Sequence, residues 1–132
     1  MIVVLDTSAA VRLVLQPAQS TTAAAAIVEA VSVLAPELIV AELVNTYWKY
    51  ARAGQLTRHQ ADQALTGSLA LIDEFCSLQP LCKEAIDLAL QLNHPAYDMF
   101  FLGLARRRGA VLISADDSLI RLAGKCGIET LQ

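Results

Sequence analysis

At 132 residues, 55% hydrophobic and 17% charged, the chain is one domain's length and apolar enough to build a core without disulfides or structural metal, which excludes intrinsic disorder. Ten Lys and Arg against thirteen Asp and Glu leave a formal net charge of −3, so no overall basic field attracts a polyanion, and such a substrate would need a local counter-charge. No apolar run reaches the length of a membrane span, and residues 1–5 lack both the basic start and the length of a signal peptide; we therefore expect a cytoplasmic protein folded as a single domain over residues 1–132.

In chain order, Ile2-Val3-Val4-Leu5 is a continuous apolar, β-branched run, the pattern of a strand buried on both faces of a parallel sheet. It stops at Asp6-Thr7-Ser8. Residues 9–15 read as a helix ended before Pro17, and Ser20-Thr21-Thr22 offer caps to a second helix over 23–31. Pro36 suits the first turn of a third, which passes Glu42 and Trp48 until Gly54 supplies a left-handed stop. Thr57 with Gln60 fits a capping box, after which Ala61, Ala64, Leu65, Leu69 and Ile72 repeat at helical spacing. Residues 76–81, broken by Pro80, read as an edge or irregular strand. A helix follows over 83–92. Asn93-His94-Pro95 ends it and starts the next, which runs through Phe100 and Leu104 to Arg106-Arg107-Arg108 and Gly109. Residues 110–114 form a second clear buried strand, Asp116-Asp117 precede a short helix reaching Leu122, and residues 128–131 supply a last strand. Strands alternating with helices predict an α/β fold of three layers, a mostly parallel central sheet with helices on both faces. Cys76, Cys82 and Cys126 are odd in number and lack C-x-x-C spacing, so buried free thiols are expected.

The carboxylates carry the chemistry. Asp62, Asp73, Glu74, Glu84 and Asp87 sit where a solvated helix face would put them. Asp6 and Asp116 instead follow buried strands, at the sheet edge where open α/β folds bind ligands. Glu42 interrupts the apolar stretch Ile39-Val40-Ala41 and Leu43-Val44, and Asp98 lies near the start of its helix, just before Met99-Phe100-Phe101-Leu102. Each has a purely structural alternative. Asp6 and Asp116 could be turn or cap residues, Asp98 could answer the positive end of its helix, and Glu42 could reach solvent or pair with Arg12. Four converging carboxylates would repel one another, so such a cluster persists only with a divalent cation or a captured proton. An oxygen-only donor set with open positions favours Mg²⁺ or Mn²⁺ over Zn²⁺.

The order Asp6-Thr7-Ser8 after a first strand, Glu42 in an early helix, Tyr97-Asp98 leading into Phe101-Leu102-Gly103-Leu104-Ala105, and Ile113-Ser114-Ala115-Asp116 after a late strand resembles the PIN-domain nucleases, most closely the small VapC-type toxins of bacterial toxin-antitoxin pairs. The likeness covers nearly the whole chain and is most specific over residues 97–122. It implies a PIN-like fold and a Mg²⁺-dependent endoribonuclease, with Mn²⁺ a possible substitute. It further implies a homodimer, silenced by a cognate antitoxin that threads a segment into the acidic groove. By position, Asp6, Glu42, Asp98 and Asp116 match the family's acidic metal-binding residues, with Asp117 a neighbour of the last, and Thr7 and Ser114 match its hydroxyl positions. Hydrolysis of RNA by metal-activated water would leave 5′-phosphate and 3′-hydroxyl ends.

Arg12, Lys49, Arg52 and Arg106, Arg107 and Arg108 are candidates for phosphate contacts, although cations at a helix C-terminus are favoured in any case. Tyr47, Trp48 and Tyr50 could stack bases or serve as core or dimer interface. His94 has a pKa range suited to a general base, but beside Pro95 it reads rather as a cap or packing residue, and His59 as a surface residue. Other classes fail on single positions. An aspartyl phosphotransferase would show a second Asp where Ser8 stands, a receiver domain would show a Lys within residues 114–118, and a metal-dependent adhesion module would not carry Ala10. The remaining alternative is a non-catalytic PIN-like module that binds a protein partner and retains a metal site.

Overall fold

The computed structural model describes all of residues 1–132. β1 (Ile2–Leu5) is the middle strand of a five-stranded, wholly parallel sheet. Val3, Val4 and Leu5 are fully buried, as a continuous β-branched run requires when both faces of its sheet are covered. α1 (Thr7–Leu15) and α2 (Thr21–Glu29), with a single 3₁₀ turn between them, lead to β2 (Ser32–Pro36). α3 (Leu38–Arg52) and α4 (Arg58–Leu69) lead to β3 (Glu74–Cys76). α5 (Cys82–Leu92) and α6 (Ala96–Arg108) lead to β4 (Val111–Ile113), and α7 (Asp117–Lys125) to β5 (Thr130–Leu131). The strand order is β3-β2-β1-β4-β5.

That order fixes the layers. From β1 the chain steps outward twice in one direction, then returns to the other side of β1 and steps outward again. With right-handed crossovers, α1 to α4 cover one face and α5 to α7 the other. The packing follows this division, with α1 against α3 and α4, and α5 against α6. The α/β reading with helices on both faces is therefore correct. The reversal of strand order falls between β1 and β4, whose pairing aligns Val3 with Val111 and Leu5 with Ile113. Their carboxyl ends open the crevice where folds of this kind bind ligands.

Local signals hold where they rest on the chain's own neighbours. The capping box is present, Thr57 Oγ1 accepting from the Gln60 amide at 3.1 Å and Gln60 Oε1 from the Thr57 amide at 2.9 Å. Gly109 closes α6 at φ +59° and Asn93 closes α5 at φ +50°, both in the left-handed region. No helix is long and apolar enough to cross a membrane.

Several expectations are corrected. Pro36 does not open a helix but ends β2, a strand absent from the sequence reading. Pairing with β1 runs only from Ser32 to Leu34, so Pro36 lies beyond that ladder. α2 stops at Glu29, and residues 76–81 hold only the last residue of β3 followed by a 3₁₀ turn. The thiols are free but none is buried: Cys82 is exposed, and Cys76 and Cys126 are half-covered. Asp62 and Asp87 are exposed on helix faces as expected, whereas Asp73 and Glu74 lie off any helix, and four of the five acids make specific contacts. Asp73 Oδ2 accepts from the Val33 amide at 2.8 Å, Glu84 pairs with Arg107, Glu74 with Arg108, and Asp62 with Arg58.

Tyr47 is core rather than a base-stacking residue, only 2% exposed, with its hydroxyl 2.6 Å from Oγ of the fully buried Ser68, which joins α3 to α4. Tyr47→Phe strands the Ser68 hydroxyl away from water and should cost about 1–3 kcal/mol in denaturant unfolding. The double variant Tyr47→Phe/Ser68→Ala should recover most of that loss, and additive costs in the double-mutant cycle would show that the bond contributes nothing.

Candidate active site

At the carboxyl ends of β1 and β4, a cleft of about 470 Å³ is lined by Asp6, Thr7, Ser8, Arg12, Glu42, Asp98 and Asp116, with Gln16, Thr46 and Tyr50 farther along. Asp6 forms its floor. At 4% exposure it is the only buried acid, and it caps α1: Oδ1 accepts the Ala9 amide at 2.9 Å and the Ser8 hydroxyl at 2.8 Å, while Oδ2 accepts the Ser114 hydroxyl at 2.6 Å. Ser114 Oγ also accepts the Asp116 amide at 3.0 Å, and Ser8 Oγ the Ala115 amide at 3.0 Å. Ser8 and Ser114 thus tie the start of α1 to the turn after β4, two segments more than a hundred residues apart in sequence. Ser114 stands behind Asp6, not in the cleft.

Glu42, on the second turn of α3, is neither in open solvent nor paired with Arg12. Its Oε1 accepts the Thr7 hydroxyl at 2.7 Å, which pins α3 to the head of α1. Asp98, in the first turn of α6, has Oδ2 3.5 Å from Nε2 of His94. The other ring nitrogen of His94 lies 3.1 Å from the Pro95 carbonyl, so His94 is an orienting neighbour of Asp98, a role the sequence reading missed. Asp116 caps α7 through Oδ1, which accepts the Ser118 and Leu119 amides. Asp117 is held outside by Gln132, whose Nε2 donates to it at 2.7 Å. The cap role expected as an alternative for Asp6 and Asp116 is therefore real, and both still line the cleft.

The electrostatics are strained. Burial pushes the Asp6 carboxyl up from 3.8 to about 6, against the opposing Ser114, Ala9 and Ser8 hydrogen bonds, and the Asp116 charge adds to the rise. Burial also raises Glu42, opposed by the Thr7 hydrogen bond and reinforced by the Asp98 charge. Asp98 is raised by burial as well, opposed by His94 and reinforced by Asp116. The acids therefore disfavour one another's ionisation, the condition that a divalent cation relieves. The donor set fits a hard cation: only oxygens, with one carboxylate oxygen each of Glu42, Asp98 and Asp116 engaged by no protein donor and open to the cleft. Those oxygens do not converge, since no three acidic or imidazole groups stand close enough together to grip an ion. Each acid is instead turned toward a protein partner.

Of the other expected residues, Thr7 and Arg12 line the cleft, and Lys49, Arg52 and the three consecutive arginines do not. Arg52 stacks on exposed Trp48, 5.3 Å from its ring centroid. Ser8 is the hydroxyl the sequence reading passed over, although Asp6-Thr7-Ser8 displays it.

The shifted Asp6 carboxyl predicts a pH dependence. The unfolded chain ionises this group near 3.8 and the folded chain near 6, so the folded state holds the extra proton between those values. The favourable contribution is complete below about pH 4 and is lost as pH rises through about 6, a change of about 3 kcal/mol. In EDTA, the melting temperature should therefore be higher at pH 5 than at pH 7. Asp6→Asn, which keeps an acceptor for the Ala9 amide, should flatten that dependence, whereas identical pH profiles for the two proteins would refute the assignment.

The comparisons agree with this geometry. The PIN domain family model matches residues 3–125. The chain is 30% identical over 121 residues to Ribonuclease VapC3 of Pyrobaculum aerophilum, spanning 88% of this chain and 90% of that protein. Among solved structures, PAE2754 from Pyrobaculum aerophilum superposes with a TM-score of 0.76 at 22% identity, over 98% of this chain and 83% of that one. VapBC2 from Rickettsia felis, bound to a DNA fragment from its promoter, superposes with a TM-score of 0.74 at 15% identity, over 99% and 98%. With a family model spanning nearly its full length and a sheet whose strand reversal carries the acids, the chain belongs to the PIN-domain family, alongside its VapC-type members.

Proposed function

We propose that the protein is a metal-dependent endoribonuclease that hydrolyses RNA phosphodiester bonds and acts as the toxin of a toxin-antitoxin pair. The observation that carries this reading is the cleft itself: four carboxylates from four separate segments line it at the strand reversal, and three of them hold protons more tightly than usual. The ribonuclease relative and the structural likeness to a VapBC protein support it.

Asp6, Glu42, Asp98 and Asp116 would hold the cation, Mg²⁺ or in its place Mn²⁺. When bound, it acidifies a water and stabilises charge on the phosphate. The rest falls to the chain. Asp6 is locked in one rotamer by Ser8, Ser114 and the Ala9 amide, so the floor of the site is organised in advance. Thr7 holds Glu42, and His94 faces Asp98, at the wall of the cleft. The attacking water adds to phosphorus as the bond to O3′ breaks, leaving a 5′-phosphate and a 3′-hydroxyl. The partners of this reading are RNA, a cognate antitoxin and a second copy of the chain in a homodimer, and the working unit is the whole of residues 1–132.

The test is incubation of the purified protein with structured and unstructured RNAs in Mg²⁺, Mn²⁺ or EDTA, beside Asp98→Asn. Cleavage should require the divalent cation and yield 5′-phosphate ends. It should fall by about 100-fold or more in the variant, since losing a carboxylate that holds the cation should cost at least as much as the roughly 10–100-fold that losing an outer partner costs. Equal cleavage in EDTA would overturn the metal role. Thermal stabilisation by Mg²⁺ with no RNA cut would favour the non-catalytic binding module.

A further inference from the structure

The cleft does not end at the carboxylates. On α1 and its C-cap, Ser8, Arg12 and Gln16 recur at every fourth position, and on α3 Glu42, Thr46 and Tyr50 do the same, so each wall of the cleft is one continuous helical strip. Thr7 and Glu42 lace the two walls together at the acidic end. Eight residues of helix carry each strip about 12 Å from that end. Over that length the chemistry changes sign. The far end has no carboxylate, and Arg12 is the one cation lining the cleft.

Arg12 is half-buried, yet it joins none of the chain's four ion pairs and makes no side-chain hydrogen bond. A guanidinium in that position is a ready fork for a phosphate. Half-buried Tyr50 lines the same cleft, and its carbonyl is anchored by the Gln55 and Leu56 amides, at 2.9 and 3.3 Å, where α3 ends. An aromatic ring and an unpaired guanidinium lining one cleft, with the Thr46 hydroxyl between Tyr50 and Glu42 on α3 and the Gln16 amide one turn beyond Arg12 on α1, match one nucleotide: phosphate, base face and base edge.

We propose that this end of the cleft is the subsite for the nucleotide adjoining the cleaved bond of a single-stranded RNA, with Arg12 on its phosphate and Tyr50 stacked on its base. The inference rests on the endoribonuclease reading and adds to it the side chains that hold the nucleotide next to the cleaved bond.

The experiment is equilibrium binding of short fluorescent single-stranded RNAs by anisotropy, in EDTA so that the strand stays whole, across a range of salt concentrations, paired with steady-state cleavage in Mg²⁺. Tyr50→Ala should weaken binding about tenfold or more, as loss of a stacking platform does, and Tyr50→Phe should restore it. Arg12→Gln should flatten the slope of log K against log salt by about 0.7, the signature of one lost contact to a single strand, and Arg12→Lys should retain the slope. In cleavage, both losses should appear in KM with kcat little changed. Unchanged melting temperatures would establish that the variants fold. Wild-type affinity and slope in both Arg12→Gln and Tyr50→Ala would overturn the subsite and leave the nuclease standing. A wild-type protein that neither binds nor cuts RNA would overturn the nuclease reading, and the subsite with it.

Discussion

The Asp6 carboxylate, set where the central strand ends, accepts hydrogen bonds from the α1 backbone and from the hydroxyls of Ser8 and Ser114, and the remainder of the site is arranged around it. These bonds do two kinds of work. They cap α1, satisfying one of the amides that every helix start leaves open, and they clamp β1 to the turn after β4 across the strand reversal. They do not fully compensate burial, since Asp6 still holds its proton to about pH 6. The fold therefore stores an unfavourable charge at that point, which a proton or, on the reading proposed above, a cation would offset.

Three of the four acids are positioned by different kinds of partner. Thr7 takes Glu42, His94 faces Asp98, and the amides of α7 take Asp116, so each carboxylate is oriented by a partner of its own while still feeling its neighbours' charges. The same partners leave one oxygen free on each of those acids. Opposite them, Arg12 supplies the positive charge that a chain of net charge −3 must place beside an acidic centre if it is to hold a polyanion. The three consecutive arginines serve elsewhere, Arg107 and Arg108 fastening α6 to Glu84 on α5 and Glu74 on β3.

Much of this was legible in the chain. β1 and β4 announce themselves as apolar runs because a strand buried on both faces has no polar side to show, and the position of Asp6 and Asp116 after them follows from topology. β2 was not legible. Val33-Leu34-Ala35 is too short to separate strand from helix by period, and Pro36 fits a strand end as well as a helix start, so the choice depended on whether a neighbouring strand lay alongside. Asp73 looked like a solvated acid until β2 brought the Val33 amide to it. Ser8 and His94 were visible as residues but not as partners.

The sequence by itself determined the α/β class, the two buried strands, the capping box and the identity of the acids, because each depends on the chemistry of residues close together along the chain. Only the tertiary structure decided that β2 is a strand, that Glu42 meets Thr7 rather than Arg12, that Asp117 stays outside while Asp116 lines the cleft, and that Arg12 and Tyr50 line the same cleft as the carboxylates. Those outcomes depend on contacts between segments from 15 to more than a hundred residues apart, whose partners no local pattern encodes.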